Sequence, residues 1–565
     1  MIILEIIVYS PCIMYIRLST KRLEEATYQY LQLCESFRND QGEPRTRVVA
    51  NFGRVDKLDA KKIDQTISAL LKYASSPALI RQPAETEYGR VRDFGNILAL
   101  EHLWDRLLLG QTITANLRGN KIEFSVADMV KVMVLNRASD PHSKLGVMRW
   151  LSTVHIPGLK CEEVDYQHLL RAMDYLVGAK ESVEKELFNQ LLTIFSPKVD
   201  LVFYDLTSSY FEGEGPGLAS FGYSRDQRPD RKQIVLALVV TREGLPITHE
   251  VLAGNTPDVT TLKATVEKLS RKFNIAKTIF VCDRGMISED NLEKLDEFEF
   301  PYIVALRPRG NNEAKALYQK NLAGFVEEPS LNGLRIKEKR QNGFRYISCH
   351  NPEVAEKKKK KREEYYTKIR SEAQKLEKQF QKGRLRNLDL HHRISETIEK
   401  YHLTKYLDPK IEGDKLILYI HPEVWEQETF LDGKFFLKTN IDEKHLPTSE
   451  VVRSYKQLQQ VERAFRELKD FLKIRPIFHY TDSRVKAHVF VCILAYLLEQ
   501  LIGLQLKRAS KTISARRALF LLSQLKSIEC KANGRSLMVT NQIDPEIIGI
   551  LEALGVRKPE KILNN

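Results

Sequence analysis

Residues 201–211 read LVFYDLTSSYF and bring a single aspartate, Asp205, to the end of an apolar stretch. A second apolar stretch, TIFVCD at residues 278–283, ends in the same way at Asp283. Carboxylates at the tips of neighbouring strands of one sheet can lie close enough to share metal ions. Taken alone, each aspartate also fits an ordinary turn or helix cap, because these sites favour Asp.

The segments around these two aspartates alternate between strand and helix patterns. Residues 233–241 (QIVLALVVT) predict a buried strand, and residues 246–252 predict its partner. Residues 258–273 predict a helix with Asp258 as its N-cap, and residues 301–306 predict another strand. Strand, hairpin, helix, strand and strand in this order indicate a compact α/β sheet.

A third carboxylate lies in a helical pattern, because residues 455–476 read YKQLQQVERAFRELKDFLKIRP. The apolar positions form one stripe that would pack on the sheet: Leu458, Val461, Phe465, Leu468 and Leu472. A flanking stripe joins an aromatic, an acid and three cations: Tyr455, Glu462, Arg466, Lys469 and Lys473. We expect Glu462 to border the buried face, which suits a metal site beside phosphates. The alternative is an exposed charged stripe with a Glu462–Arg466 pair.

The positive charge of the chain is concentrated in one region. The formal net charge is +14, and residues 335–400 hold 20 Lys or Arg and 10 Asp or Glu, a net charge of +10. A basic balance favours nucleic acid as a partner, although a merely soluble basic protein has the same composition. Seven widely spaced cysteines without a CxxC pair argue against a disulfide framework and a cysteine zinc site, and they fit a reducing cytoplasm.

Local patterns predict the remaining elements. Residues 28–54 predict a β-hairpin with a basic second half, suited either to DNA contact or to a solvated strand face. Residues 95–195 predict helices that are broken at Asp140-Pro141. A basic run at 357–362 opens a long charged helix to about residue 401, with strands at 416–420 and 435–439. Apolar residues 489–504 carry Glu499 and Gln500, which favours a buried helix over a membrane span.

These patterns divide the chain into six expected segments. They are a β-hairpin region at 1–90, a helical region at 91–197, the first part of the α/β core at 198–310, an insertion at 311–439, the second part of the core with Glu462 at 440–505, and a C-terminal helical tail at 506–565.

The spacing Y-x6-E-x6-K at Tyr455, Glu462 and Lys469, followed by LKIRPIFH, resembles the signature of bacterial insertion-sequence transposases of the "IS four" group. Further similar motifs are FYDLTSSYFEG, VCDRGM, DGKFFLKTN and RVKAHVFVCILAYLL, and DPHSKLGVMRWL at 140–151 resembles the long branch of that group. The likeness spans about residues 28–505. The chain departs from the signature at Leu458, where the family has an arginine, so one phosphate contact is not carried over.

The resemblance implies an α/β fold with a ribonuclease-H-like core, interrupted by a β-rich insertion with a basic helical arm and preceded by a β-hairpin and a helical DNA-binding region. It implies a DDE transposase whose catalytic and metal-binding triad is Asp205, Asp283 and Glu462. Two Mg²⁺ or Mn²⁺ ions, which oxygen ligands select, would activate the attacking oxygen and stabilise the leaving oxygen. DNA contacts are implied for five residues: Tyr455, Arg466, Lys469, Lys473 and, as a substitute for the missing arginine, Arg284.

The partner implied by the resemblance is double-stranded DNA, both transposon ends and target, bound by a homodimer in the cytoplasm and not at a membrane. An aromatic of the inserted strands would stack on a flipped base, with Phe435 or Phe436 as the candidate and Trp425 behind them. Only one of two adjacent strand residues can face the DNA. Two alternatives stay open: a ribonuclease-H-like nuclease without strand transfer, and an inactive DNA-binding derivative of a transposase.

Overall fold

The computed structural model describes residues 13–23, 26–39, 43–59, 63, 65–67, 69, 86–117, 122–273, 278–283, 288–306, 324–532 and 535–563. The chain forms two compact units. One comprises Met1–Tyr88 with Cys530–Leu537, and the other comprises Gly89–Glu529 with Met538–Asn565.

The first unit holds an antiparallel sheet of three strands in the order β1-β2-β3. These strands are β1 Ile13–Leu23, β2 Ala26–Arg38 and β3 Pro44–Arg54. The predicted hairpin is confirmed as β2 and β3, and β1 adds a strand in front of it. The basic residues of the hairpin already pair with acids: Arg45 with Glu43, Arg47 with Glu35, and Arg54 with Asp56. The next strand, β4, spans Thr86–Asp93.

A group of helices follows, as the periodicity predicts. They are α1 Gly95–Arg106, α2 Leu109–Asn116, α3 Val126–Ser139, α4 Lys144–Trp150 and α5 Tyr166–Phe195. The predicted break at Asp140-Pro141 is confirmed between α3 and α4. Side chains cap three of these helices, since Ser125, Ser143 and Asp165 accept hydrogen bonds from backbone N–H groups of the first turn. The last of these helices, α5, is 30 residues long.

A mixed sheet of nine strands forms the centre of the second unit, in the order β10-β11-β12-β15-β9-β8-β5-β6-β7. The strands of this region are β5 Leu201–Tyr210, β6 Gln233–Thr241, β7 Pro246–Ala253, β8 Ile279–Cys282, β9 Tyr302–Ala305, β10 Val326–Glu328, β11 Leu334–Gln341, β12 Phe344–His350, β13 Leu407–Glu412, β14 Lys415–Ile420 and β15 Lys434–Thr439. β5, β8 and β9 run parallel, and β6 and β7 complete an antiparallel hairpin beside β5. The predicted α/β core is confirmed, and its sheet is of the kind expected for a ribonuclease-H-like domain.

One strand prediction is wrong, because β5 does not end at Asp205. It continues to Tyr210, paired with β6 from Val202↔Thr241 to Tyr210↔Gln233. Alternate residues of β5 enter two different cores: Phe203 lies in one, and Tyr204 and Leu206 lie in the other. Asp205 therefore lies within a strand and not at its tip.

Helices cover both faces of this sheet. On the face of Tyr204 lie α6 Leu262–Phe273 and α7 Glu289–Glu297. Residues 258–260, predicted as the start of α6, form a separate 3₁₀ turn. Asp258 is not an N-cap, because its carboxylate accepts a hydrogen bond from the Arg225 guanidinium at 2.6 Å instead.

The segment predicted as an insertion contributes to the sheet and also leaves it. β10, β11, β12 and β15 extend the sheet beyond β9. The rest holds the hairpin of β13 and β14 with three helices: α8 Pro352–Gln381, α9 Asn387–Lys400 and α10 Pro422–Leu431. The prediction of one long helix to residue 401 is wrong, because the chain turns at Gly383, whose φ of 70° favours glycine. The domain limits drawn from the sequence stay predictions.

The C-terminal part returns to helices. They are α11 Thr448–Lys456, α12 Gln459–Arg466, a π-helical turn at Glu467–Phe471, α13 Asp482–Arg508, α14 Ala515–Leu522 and α15 Pro545–Ala553. The last strands are β16 Lys526–Ala532, β17 Arg535–Thr540 and β18 Ile562–Leu563. Within the described residues, only α13 is long and apolar enough to cross a membrane, and 78% of its apolar window is buried in the protein. The predicted buried helix is thus confirmed.

Candidate active site

The two aspartates lie side by side on parallel strands. β5 and β8 are in register with Tyr204 opposite Cys282, so Asp205 and Asp283 are the next residues along each strand. Neighbouring strands are about 4.8 Å apart. Tyr204 enters the core under α6, so Asp205 faces the opposite side of the sheet. Asp283 directly follows the last residue of β8 and contacts Tyr455, which packs against the core on that opposite side.

The helix that carries Glu462 packs on that opposite side. Val461, Ala464 and Phe465 of α12 are buried in the same core as Phe203 of β5. Glu462 lies beside these residues on the exposed flank of the helix. The structure thus brings all three predicted carboxylates to one face of the sheet, and it shows no ion pair between the described residues Glu462 and Arg466.

The pKa of Asp205 depends on the charges of the other two carboxylates. Burial, followed by the negative charges of Asp283 and Glu462, raises the pKa of Asp205 to about 7. The Leu206 N–H, which donates to Asp205 Oδ1 at 2.8 Å, and the Arg225 guanidinium oppose this shift of the pKa. A divalent cation would relieve such crowding of negative charge.

The donor chemistry of the site therefore fits a divalent cation, since all three side chains offer hard oxygen ligands. The geometry is not closed, however: among the residues that the structure describes, no three His, Cys, Asp or Glu side chains lie close enough to hold a metal ion. Asp205 and Asp283 provide a neighbouring pair, and the charge of Glu462 on α12 acts on Asp205.

Tyr455 is brought directly to this pair. Its hydroxyl donates a hydrogen bond to Asp283 Oδ1 at 3.2 Å. Its ring stacks on Phe435 of β15, with the ring centroids 5.8 Å apart and the planes at 26°. The resemblance implies a DNA contact for Tyr455, whereas the structure shows it as a partner of Asp283.

The predicted single face of cations after Glu462 is wrong. The helical path is broken between α11 and α12, and the π-helical turn changes the spacing of the residues that follow. Arg466 remains exposed on α12. Lys469 donates to Asp226 at 2.7 Å and is largely buried, and Lys473 lies beyond the helix with φ of 50°. Leu458 is buried in the core, so this position offers no phosphate contact.

The aromatic candidates are separated. Phe435 lies beside Tyr455, as described above. Phe436 points to the other side of β15 and is 2% exposed, in a cluster with Leu306 and Tyr346. Trp425 of α10 packs in the insertion, against the rings of Tyr366 and Tyr406. The structure brings only Phe435 to the two aspartates, and Arg284 lies outside the described residues.

Two residues near the site were missed from the sequence. Arg225 donates from its backbone N–H to Ser208 Oγ at 2.9 Å, and its charge lowers the pKa of Asp205. Asp226 is 5% exposed in its side chain and pairs with both Lys469 and Arg475. The only local signal was the density of charged residues at 225–232, which does not identify partners far along the chain.

Two family models match the chain. A model described as "Transposase DDE domain" matches residues 196–498, and a model described as "IS1634 family transposase, N-terminal domain" matches residues 16–83. No curated protein matches significantly. The first match covers more than half of the chain and contains Asp205, Asp283 and Glu462.

Proposed function

Since the chain belongs to the family of DDE transposases and carries an IS1634-family N-terminal domain, we propose that it binds the terminal inverted repeats of its insertion sequence, cleaves there and joins the ends to target DNA. Asp205, Asp283 and Glu462 are the proposed catalytic triad. The observation that supports this proposal most is the placement of Asp205 and Asp283 on the face of the sheet that α12 covers. A finer assignment to the "IS four" group rests on the motifs alone.

The proposed triad would hold one or two Mg²⁺ or Mn²⁺ ions, which supply activation of the attacking oxygen and stabilisation of the leaving oxygen. The residues of the chain orient these ligands. The Leu206 N–H fixes one oxygen of Asp205, and the Tyr455 hydroxyl fixes one oxygen of Asp283. We propose that DNA bound along α12 brings the three carboxylates into a closed ligand set. Both water and a DNA 3′-OH can then be the nucleophile.

The exposed cations near the proposed triad are the candidates for contacts with DNA. Arg466 lies one helical turn after Glu462 and is exposed, so we propose that it contacts a phosphate next to the triad. Lys469 can contact a phosphate as well only if its ammonium group leaves Asp226. A homodimer in the DNA complex and action in the cytoplasm complete the proposal, because both ends of an element have to be cut and joined together.

The test uses the full-length protein and a plasmid that carries the DNA on both sides of its gene. With Mg²⁺ we expect cuts at the two boundaries of the element and joining of the released ends to a second plasmid. Cleavage without joining would instead support a nuclease. Binding without cleavage in either Mg²⁺ or Mn²⁺ would indicate an inactive derivative.

The basic arm offers a prediction about DNA affinity. Lys357–Lys361 are all exposed on α8, whereas Arg362 is buried and paired with Asp432. Changing the five lysines to glutamine should lower the slope of log affinity against log salt by about 0.9 for each phosphate that the arm no longer neutralises. Fluorescence anisotropy at several salt concentrations measures this slope. The matched control changes three other exposed lysines, Lys375 and Lys378 near the end of α8 and Lys382 just after it, and an equal decrease per lysine there would show that the effect is nonspecific.

The aromatic beside Tyr455 offers a second prediction. We expect Phe435→Ala to abolish most of the 2-aminopurine signal of a base flipped at the cleavage site, since stacking contributes roughly 1–3 kcal/mol per base. Phe520→Ala is the matched control, because Phe520 is exposed on α14. An unchanged signal in the Phe435 variant would show that Phe435 is not the residue that stacks on the flipped base.

A further inference from the structure

A basic cavity lies between the break after α3 and the chain that follows the π-helical turn. Its volume is about 610 Å³, within the range of roughly 300–1,000 Å³ in which small-molecule sites fall. Seven basic side chains line it: Arg137, His142, Lys144, Lys473, Arg475, His479 and His488. No described Asp or Glu is among the lining residues.

Two of the cations are buried without a carboxylate. Lys144 is 5% exposed and makes no ion pair or side-chain hydrogen bond with any described residue. Arg137 is 5% exposed and donates only to backbone carbonyls, those of Leu472, Lys473 and His142, while its Nε has no partner. Burying a charge without a counter-charge is strongly unfavourable, so a fold that keeps two such cations at one cavity is arranged for an anion.

The neighbouring groups respond to this positive potential. Burial, followed by the charge of Arg137, lowers the pKa of Lys144 to about 7. Burial and the charges of Lys144 and Arg137 lower the pKa of His479 to about 3. The same causes lower the pKa of His488, whose Nδ1 is buried without a partner. A bound oxyanion would restore the charged form of Lys144.

The cavity lies at the end of the strand that carries Asp205. The guanidinium of Arg475 is 5.5 Å from the ring of Tyr210, the last residue of β5. The five residues from Asp205 to Tyr210 span about 17 Å at the rise of a strand. A DNA strand that enters the candidate active site therefore passes within reach of the cavity, whose residue Lys473 is exposed.

We propose that this cavity binds a phosphate of the DNA backbone, with Lys144 and Arg137 as its buried counter-charges. The inference rests on the proposed function for its choice of DNA as the source of the phosphate. Arg475 also pairs with Asp226, which in turn pairs with Lys469. A phosphate bound to Arg475 therefore competes with Asp226 for this guanidinium group.

The test compares the full-length protein with its Lys144→Met variant, using sulfate as the oxyanion and a duplex of random sequence as the DNA. Sulfate should raise the Tm of the native protein and not that of the variant. The variant itself should melt several degrees higher in the absence of anions, because an unpaired buried charge is removed. Its DNA affinity should fall about tenfold, with a salt slope smaller by about one. Lys185→Met, at an exposed position of α5, is the matched control.

Each outcome decides between the possibilities. A native protein that sulfate does not stabilise, or a variant that sulfate stabilises equally, overturns the cavity as an anion site. Sulfate stabilisation with unchanged DNA affinity and salt slope overturns the assignment to DNA and indicates a free oxyanion. None of these readouts needs cleavage, so a failure of the proposed transposition leaves them interpretable. Lys144→Gln provides the same comparison if the methionine variant does not fold.

Discussion

Replacing Asp205 by asparagine is expected to lower metal-dependent DNA cleavage on the order of 10³-fold or more, because a metal ligand contributes several kcal/mol to the transition state. Asparagine keeps the size of the side chain and an oxygen that can accept the Leu206 N–H. It lacks the negative charge that attracts a cation. Burial and the neighbouring Asp283 and Glu462 raise the pKa of Asp205, so the neutral amide relieves repulsion within the fold. We therefore expect an unchanged or higher Tm alongside the loss of activity.

The same result is expected for Asp283→Asn and Glu462→Gln, with DNA affinity retained in all three variants. Cleavage of end-labelled DNA in Mg²⁺ measures the activity, and anisotropy measures the affinity. Asp200→Asn is the matched control, since Asp200 precedes β5 and pairs with Arg242 outside the site. Near-normal cleavage by any of the three variants would show that the residue is not part of the triad. Glu462→Gln is the most informative, because Glu462 is exposed on α12 and no three potential ligands among the described residues form a metal site.

The sequence was sufficient for those features that depend on local composition. Apolar runs with β-branched residues predict β6 and β8 closely, and the interruption by Asp140-Pro141 predicts the break between α3 and α4. β5 was cut short because Thr207, Ser208 and Ser209 resemble a loop. Their burial depends on the pairing with β6, and such pairing between distant segments is not visible in a local pattern.

The cations after Glu462 show a second limit of prediction from the sequence. A stripe deduced from the sequence assumes 3.6 residues per turn throughout, and the π-helical turn at Glu467–Phe471 breaks this assumption. The partner of Lys469 is Asp226, 243 residues away. Motif resemblance could relate Tyr455 to Glu462 and Lys469, but only the fold places the Tyr455 hydroxyl on Asp283 and the ring of Phe435 on Tyr455.

A buried ion cluster holds the helices to the outer edge of the catalytic sheet. Glu184 of α5 is 4% exposed and pairs with Lys180, Lys268 and Lys272 at 3.1, 3.7 and 3.4 Å. It also accepts a hydrogen bond from Thr248 Oγ1 of β7 at 3.0 Å. One carboxylate thus connects α5, α6 and β7, and its three lysines are themselves largely buried.

We expect Glu184→Ala to lower the free energy of unfolding by about 3–5 kcal/mol, because it leaves buried lysines without their main counter-charge. Burial alone would raise the pKa of Glu184, but Lys180, the ring of His249 and Lys268 hold it well below its usual value. A depressed folded pKa contributes stability above the unfolded pKa, near 4.5, and this contribution is lost as the pH falls below it. The difference in the free energy of unfolding between native protein and variant should therefore be full at pH 7 and smaller at pH 3.

Urea unfolding at both pH values measures this difference, with the exposed Glu186→Ala on the same helix as control. A decrease below about 1 kcal/mol at pH 7, in the range of a surface pair, would mean that Glu250 and Glu181 already neutralise the lysines.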